Sequence, residues 1–274
     1  MKKLIALLLA LTMLVAFAGC NTEKPVETQP VETKPVETQP KETQAPETTA
    51  PVETEPAVQV MTYAEYVAAE NDTEVVIEAY VAAIESWWNG SLQVYALCDE
   101  GGYYVYNLAC TEEEAALFVP GTLVRFTGYK GAWAGEVEIM DATFEILESD
   151  ATYFGADDVT DLVGTDELET RMNDLVAING LTVEASKDAN GNDVAFLYKW
   201  DGSGAQGDDL YFNVELNGAT YTFTVNAYMN GTGTGSDVYT AVEALKVGDK
   251  IDVEGFLYWY NGAQPHLTSV TPAA

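Results

Sequence analysis

Aromatic side chains are the residues of this sequence best suited to binding chemistry, because flat rings stack on planar or apolar ligand surfaces. Residues 61–274 hold 29 of the 30 Phe, Trp and Tyr residues. Strand alternation puts Tyr95 on the face opposite Val94 and Ala96, so we expect Tyr95 to be exposed. Alternatively, such rings only complete the packing of small folds. The candidate ligand-binding residues are Trp87, Trp88, Tyr95, Tyr104, Tyr106, Trp133, Trp200, Tyr211, Tyr258, Trp259 and Tyr260.

Residues for catalysis are sparse. His266 is the one histidine, which leaves neither a zinc site with several histidines nor a choice of general base for a triad. Cys98 is followed by Asp99 and Glu100, and acidic neighbours do not lower a thiol pKa. The sequence therefore predicts no catalytic residue, no cofactor and a protein that is not an enzyme. A glycan-processing enzyme with a pair of carboxylates stays open, since acidic residues are abundant.

One short segment, "DANGND", resembles the start of a calcium loop, because hard cations prefer clustered oxygen ligands. Its candidate metal ligands are Asp188, Asn190, Asn192 and Asp193. Asp193 stands where such a loop needs glycine, and Lys199 stands where it needs a bidentate glutamate. We therefore interpret the segment as an Asn-Gly turn and predict no metal.

The charge is strongly acidic, with a net charge of −32 for the whole chain. Residues 61–150 contain 17 acidic residues against two basic ones, and residues 151–274 contain 19 against five. A nucleic-acid backbone binds to basic tracks, and this field repels phosphates. We therefore expect nucleic acid to be an unlikely partner, and a glycan, a peptide or a protein to be the ligand.

Alternating patterns place these residues on strands. "EVVIEAYVAAIESWW" alternates, and Asn89-Gly90 predicts a tight hairpin into "SLQVYALC". "YYVYNLAC" is a third strand. Thr111 and Glu114 form a capping box for a short helix that ends at Pro120-Gly121. Two more strands follow, "TLVRFTGYKG" and "EVEIMDATFEIL", so the predicted order is β-β-β-α-β-β.

That order, with the "GYKGAWAGEVEIMDATF" run, resembles the OB-fold superfamily, in particular exported OB-like domains of bacterial lipoproteins. The resemblance covers residues 62–147 and, more loosely, 165–272. It implies a small five-stranded Greek-key barrel whose helix lies between the third and fourth strands. A sandwich or another small barrel is the alternative.

The second half repeats the plan, since "VPGTLVRFTGYKG" corresponds to "LKVGDKIDVEGFLYW" with central glycines Gly128 and Gly255. "DLYFNVELNGATYTFTV" is a hairpin that turns at Asn217-Gly218, and "SDVYTAVEALKVGD" takes the helix position. An extra piece at 186–208 follows the first strand. In OB folds the loop at this place contacts ligands, so it is a candidate site, or else a surface hairpin without a task.

The N-terminus predicts export. Lys2 and Lys3 precede an apolar run, and Ala18-Gly19-Cys20 follows it. This layout resembles the lipobox of bacterial lipoproteins, which implies lipidation of Cys20, although Phe17 stands where the family usually has Leu. An ordinary secreted protein is the alternative. Residues 21–60 repeat a P-V-E-T-x unit without aromatics, which predicts a disordered linker.

Together these patterns predict a mainly β protein with tandem OB-like barrels after the linker. The predicted segments are a lipoprotein signal peptide at 1–20, the linker at 21–60, a first domain at 61–150 and a second at 151–274. We expect an exported protein, lipid-anchored to the outer face of the bacterial cell membrane, that acts as a non-catalytic binding module. The alternatives are an accessory lipoprotein that contacts only a partner protein, and nucleic-acid binding of the OB type.

Overall fold

The computed structural model describes residues 58–273. Its first part comprises helix α1 (Tyr63–Ala68), strands β1 (Glu74–Ile84), β2 (Ser91–Cys98) and β3 (Gly101–Ala109), helix α2 (Glu112–Ala115), and strands β4 (Leu123–Trp133) and β5 (Glu136–Ile146). The strands form a closed barrel in the order β1-β2-β3-β5-β4. Alternate residues of β1, from Val75 to Val81, point into its core. The predicted β-β-β-α-β-β order is confirmed.

Helix α2 forms where the capping signal predicts it. The Thr111 hydroxyl accepts a hydrogen bond from the Glu114 amide at 3.2 Å, and the Glu114 carboxylate accepts one from the Thr111 amide at 2.8 Å. These bonds satisfy two amides that the first turn leaves unpaired. Helix α1 has no counterpart in the sequence prediction. The buried Lys130 ammonium donates to three carbonyls at its C-terminal end, those of Tyr66, Val67 and Ala69, each at 2.9 Å.

The second part contains two 3-10 helices, at Thr160–Leu162 and Asp166–Arg171. Its strands are β6 (Asp157–Asp158), β7 (Leu175–Glu184), β8 (Ser186–Lys187), β9 (Asp193–Val194), β10 (Leu197–Tyr198), β11 (Leu210–Leu216), β12 (Ala219–Val225), β13 (Lys250–Phe256) and β14 (His266–Pro272), and helix α3 (Asp237–Glu243) precedes β13. Strands β7, β11, β12, β14 and β13 pair in that order, and β13 pairs back with β7. This ring has the same order as the first. The fold is therefore two tandem OB-like barrels, as the sequence predicts.

The two central glycines of the repeat occupy equivalent places. Gly128 in β4 and Gly255 in β13 each lie where the pairing with the following strand changes register. A β-carbon on Gly128 would lie 2.7 Å from the Met140 carbonyl oxygen, and one on Gly255 would lie 2.4 Å from that of His266. Only glycine lets the neighbouring strands approach this closely, which matches the sharp coiling of a small barrel.

The two barrels contact each other through a buried aromatic cluster. Tyr95 on β2 stacks on Phe256 of β13, with ring centroids 4.3 Å apart and planes within 11°. Its hydroxyl bonds to Nδ1 of His266 at 2.9 Å. The Glu136 carboxylate also accepts a hydrogen bond from the Trp259 amide at 2.6 Å. The contact between the barrels therefore combines apolar ring packing with directional hydrogen bonds.

The predicted signal peptide, the lipidation site Cys20 and the predicted linker up to residue 57 lie outside the described residues. The domain boundaries at 61–150 and 151–274 stay predictions. Within residues 58–273, no helix combines the length and the apolar character that a membrane crossing requires.

Candidate functional site: an aromatic cleft on the second barrel

A cleft of about 780 Å³ lies on the outer face of the second barrel, where the first barrel contributes one wall. Its base is the outward face of β11 and β12, the second and third strands of that barrel. The inserted segment 186–208 and the loop between β13 and β14 form its sides, and residues of β3 and β4 close it. In an OB fold this face, with these two loops, is where ligands bind. The volume is typical of small-molecule pockets.

Aromatic rings line the walls. Trp133 at the end of β4 and Tyr260 in the β13–β14 loop pack together, with ring centroids 5.3 Å apart, although one belongs to each barrel. Trp200, in the inserted segment, lines the cleft with 70% of its surface exposed. Because the Trp200 ring is so exposed, a ligand can stack on it without displacing a protein contact. At the other end of the cleft, here called its inner end, Tyr258 stacks on His266 at 4.3 Å and contacts Tyr104 edge-on at 5.6 Å. These contacts hold the Tyr258 ring in place.

A row of three side chains crosses the floor. Tyr211, Thr224 and His266 are aligned partners on β11, β12 and β14. Thr224 is only 2% exposed, and its hydroxyl is a buried group without a hydrogen-bond partner among the described residues. Burial lowers the pKa of His266 to about 4, so the imidazole at the end of the row is neutral at neutral pH. The floor thus offers an unused hydroxyl beside a neutral ring.

Two carboxyl groups flank the floor. Asn226 and Ala227 follow β12: the Asn226 amide donates to Glu85 at 2.8 Å, and the Ala227 backbone N–H donates to Asp209 at 2.8 Å. Burial raises the pKa of Glu85 to about 7, and the charge of Asp209 adds to the effect. Burial likewise raises the pKa of Asp209. Among the described residues, neither carboxylate forms an ion pair.

The cleft also has neutral polar groups and one cation. The Thr222 hydroxyl donates to the Asn213 side-chain oxygen at 2.8 Å, which leaves the Asn213 amide nitrogen as a donor. Lys187 is the only Lys or Arg that lines the cleft, and its ammonium pairs with Asp193 at 2.6 Å. The site therefore suits planar neutral rings with polar edges better than anionic groups.

The structure brings together six of the predicted aromatic residues: Tyr104, Trp133, Trp200, Tyr211, Tyr258 and Tyr260 all line the cleft. Trp87, Trp88, Tyr106 and Trp259 are not among the lining residues. Trp87 donates its indole N–H to the Cys110 carbonyl at 2.9 Å, whereas Trp88 is 80% exposed. The expectation that Tyr95 is exposed is wrong. It does point out of its barrel, but the second barrel covers it and leaves 0% exposed.

Sequence reasoning did not find the polar residues of the cleft. Glu85, Asp209, Thr224 and His266 have no motif, and an isolated polar residue near a strand end normally faces solvent. Strand alternation does provide a signal for Asn213. It lies two positions after Tyr211 on an alternating strand, and therefore on the same face.

The "DANGND" segment forms a turn, and the carboxylate oxygens of Asp188 accept hydrogen bonds from within that turn. The Asp188 carboxylate accepts hydrogen bonds from the Asn190 and Asn192 amides, both at 2.8 Å, and from the Asn192 side chain at 3.0 Å. These bonds lower the pKa of Asp188. Asp193 pairs with Lys187. Residues 58–273 contain no group of three or more His, Cys, Asp or Glu arranged to hold a metal.

Comparison with known proteins finds similar structures only. No family model matches the sequence. No curated protein matches it either. Solved structures match the chain only at low sequence identity. The p204 HINb domain is 9% identical at a TM-score of 0.33 and covers 74% of this chain and 98% of its own. A murine DNA-binding protein bound to double-stranded DNA is 13% identical, at a TM-score of 0.31, covering 73% of this chain and 96% of its own.

Two other similar structures are structures of complexes. A replication protein A heterotrimer bound to single-stranded DNA is 12% identical at a TM-score of 0.31, covering 75% of this chain and 49% of its own. The S. pombe Stn1-Ten1 complex is 23% identical at a TM-score of 0.24; the match covers 28% of this chain and spans 59% of that one.

These comparisons correct two expectations. Two of these four structures are described as DNA-binding or as bound to DNA, which contradicts the expectation that nucleic acid is an unlikely partner. The expectation of a glycan, peptide or protein ligand is wrong for the same reason. The net charge of a whole barrel was the basis of both, and it says little about a cleft lined by neutral rings.

Proposed function

We propose that the protein is a non-catalytic module that binds single-stranded nucleic acid in the aromatic cleft. Bases enter the cleft and stack on Trp200 and on the Trp133–Tyr260 pair. The sugar-phosphate backbone stays at the mouth, in solvent. Binding of this kind depends on the faces of the bases, which every nucleotide presents.

The observation that supports this proposal is the position and lining of the cleft. It occupies the second-strand and third-strand face of an OB barrel together with both of the loops that contact ligands in this fold. Its rings are separated by groups able to bond the polar edges of bases, such as the Asn213 amide.

The acidic surface limits how such a ligand is held. With Lys187 engaged by Asp193, the lining residues supply no free cation for a phosphate. Stacking must then provide most of the affinity, at about 1–3 kcal/mol per base. Duplex DNA, whose bases are stacked on each other, cannot use the rings. The proposal therefore predicts that single strands bind in the cleft and that duplexes do not.

The test is a fluorescence-anisotropy titration of the full chain with a labelled single strand of about twelve nucleotides. Trp200→Ala removes an exposed ring of the cleft, and we expect it to weaken binding by about fivefold or more. Trp88→Ala is the matched control, because Trp88 is also highly exposed but lies outside the cleft. It is expected to leave the dissociation constant unchanged.

Competition then separates the ligand classes. Unlabelled single strands are expected to displace the probe, and the corresponding duplex and neutral oligosaccharides are expected not to. Displacement by an oligosaccharide at equal concentration, or equal losses in both tryptophan variants, would count against the proposal.

We further propose that the protein is exported and lipid-anchored through Cys20 to the outer face of the bacterial membrane. The support is the sequence alone, namely the apolar run that ends in Ala18-Gly19-Cys20. In this location the ligand would be extracellular nucleic acid. Cys20→Ala is expected to move the protein from the membrane fraction to the soluble fraction. A variant that stays with the membrane would refute the anchor.

A further inference from the structure

The inner end of the cleft carries polar groups that stacking does not need. Thr224 is buried in the floor, and its hydroxyl has no partner among the described residues. A buried hydroxyl without a hydrogen bond costs free energy, so its retention at a ligand-binding face suggests that a ligand supplies the partner. It is the one such atom among the residues that line this cleft.

Asp209 provides a second group with a specific bonding capacity. One carboxylate oxygen accepts from the Ala227 amide, and the structure records no hydrogen bond to the other oxygen among the described residues. An ionised carboxylate only accepts hydrogen bonds. Glu85 lies across the Asn226–Ala227 segment and, with a pKa raised to about 7, is partly ionised at neutral pH; no described Lys or Arg pairs with either group. This end of the cleft therefore favours ligand groups that donate hydrogen bonds.

We infer that the inner end of the cleft recognises the amino-bearing edge of cytosine or adenine, with Asp209 accepting from the exocyclic amine and Thr224 donating to the adjacent ring nitrogen. This inference rests on the proposed function. Both bases carry an amine next to an unprotonated ring nitrogen, whereas thymine presents a carbonyl oxygen next to an N–H. A thymine in the same place would set its carbonyl oxygen against the carboxylate.

The neutral state of His266 fits this arrangement. A protonated imidazole at the end of the Thr224 row would supply a positive charge and a donor, which would favour a carbonyl oxygen and blur the distinction. The Tyr95 hydroxyl engages Nδ1 of His266, and burial keeps the ring neutral. With His266 neutral, the hydrogen bonds of Asp209 and Thr224 determine which base is preferred.

The experiment compares oligo(dC), oligo(dA) and oligo(dT) of equal length in titrations of the full chain. We expect oligo(dC) and oligo(dA) to bind about tenfold more tightly than oligo(dT), the scale of one specific base contact. Asp209→Asn retains an oxygen for the Ala227 amide but adds an N–H₂ donor, so the preference is expected to disappear. Thr224→Val keeps the shape, removes the hydroxyl and is expected to reduce the preference.

Glu148→Gln is the control, since it removes the same charge from an exposed position outside the lining residues. Equal binding of all three oligonucleotides would overturn this inference and leave the proposed function intact. The same holds for a preference that survives in Asp209→Asn. Absence of binding by every oligonucleotide would overturn the proposed function itself, and this inference with it.

Discussion

Glu136 shows how one buried carboxyl group links the two barrels. Its side chain is 0% exposed and accepts the hydrogen bond from Trp259 in the loop that carries Tyr258 and Tyr260. Burial raises the pKa of Glu136 to about 8. The bond therefore places a group that titrates near neutral pH directly behind one side of the cleft.

This pKa predicts a dependence of stability on pH. The folded state holds the proton more tightly than the unfolded chain, so the contribution of Glu136 is present at low pH and is lost as pH rises from about 5 to about 8. Glu136→Gln keeps an acceptor for the Trp259 amide and removes the titration. We expect the variant to be more stable than the parent at pH about 8, by on the order of 2 kcal/mol, and nearly equal at pH about 5.

Thermal melts across this pH range measure the difference between parent and variant. Glu148→Gln, which alters an exposed carboxyl group, is expected to follow the parent at every pH. A difference that does not change with pH would show that Glu136 stays ionised in the folded protein.

At the level of elements, the bulges at Gly128 and Gly255 set the curvature of both barrels. A β-carbon at either place meets a backbone carbonyl oxygen of the neighbouring strand, which cannot rotate away as a flexible side chain could. We expect Gly128→Ala and Gly255→Ala each to lower the free energy of unfolding by about 1–3 kcal/mol. Denaturant unfolding measures this loss.

Gly155→Ala is the matched substitution, because a β-carbon there meets no atom within 4 Å. It is expected to change stability by less than about 0.5 kcal/mol. If the three alanine variants are equally stable, the close approach of the strands at the two bulges is not a requirement of the fold.

The elements are also the level at which the sequence predicts most. Alternation, the Asn89-Gly90 and Asn217-Gly218 turns and the Thr111 capping box are local signals, and the structure confirms the elements that they predict. Helix α1 carries the same kind of local signal, a capping box of Thr62 and Glu65, but no periodic apolar run follows it, so it was not predicted from the sequence. Its C-terminal end is held by Lys130, a contact distant in sequence that local patterns do not show.

For the whole molecule, the contact between the barrels decides which predicted residues belong to the site. Period-2 alternation correctly places Tyr95 on the outside of the first barrel, but only the position of the second barrel shows that this outside is covered. The same contact brings Trp133 against Tyr260. The aromatic residues could be predicted as candidates from the sequence. The rings that they contact in the other barrel could not, because the sequence repeat does not show how the two barrels pack against each other.

The acidic charge is likewise a property of the whole molecule. It repels a polyanion at long range, and salt screens that repulsion. A protein that holds phosphates with basic residues loses affinity steeply as salt increases. Binding through bases in an acidic protein is expected to lack that loss. The central claim is therefore that the bases, and not the phosphates, are what the cleft binds.

The most direct test of that claim is to measure the binding of two oligonucleotides of equal length, one complete and one abasic, to the full chain at low and at moderate salt. The two ligands have the same phosphates and differ in their bases. We predict that the complete strand binds at both salt concentrations without the steep loss of affinity typical of phosphate contacts, and that the abasic strand does not bind. Equal binding of the two strands, or binding of neither, would contradict the account.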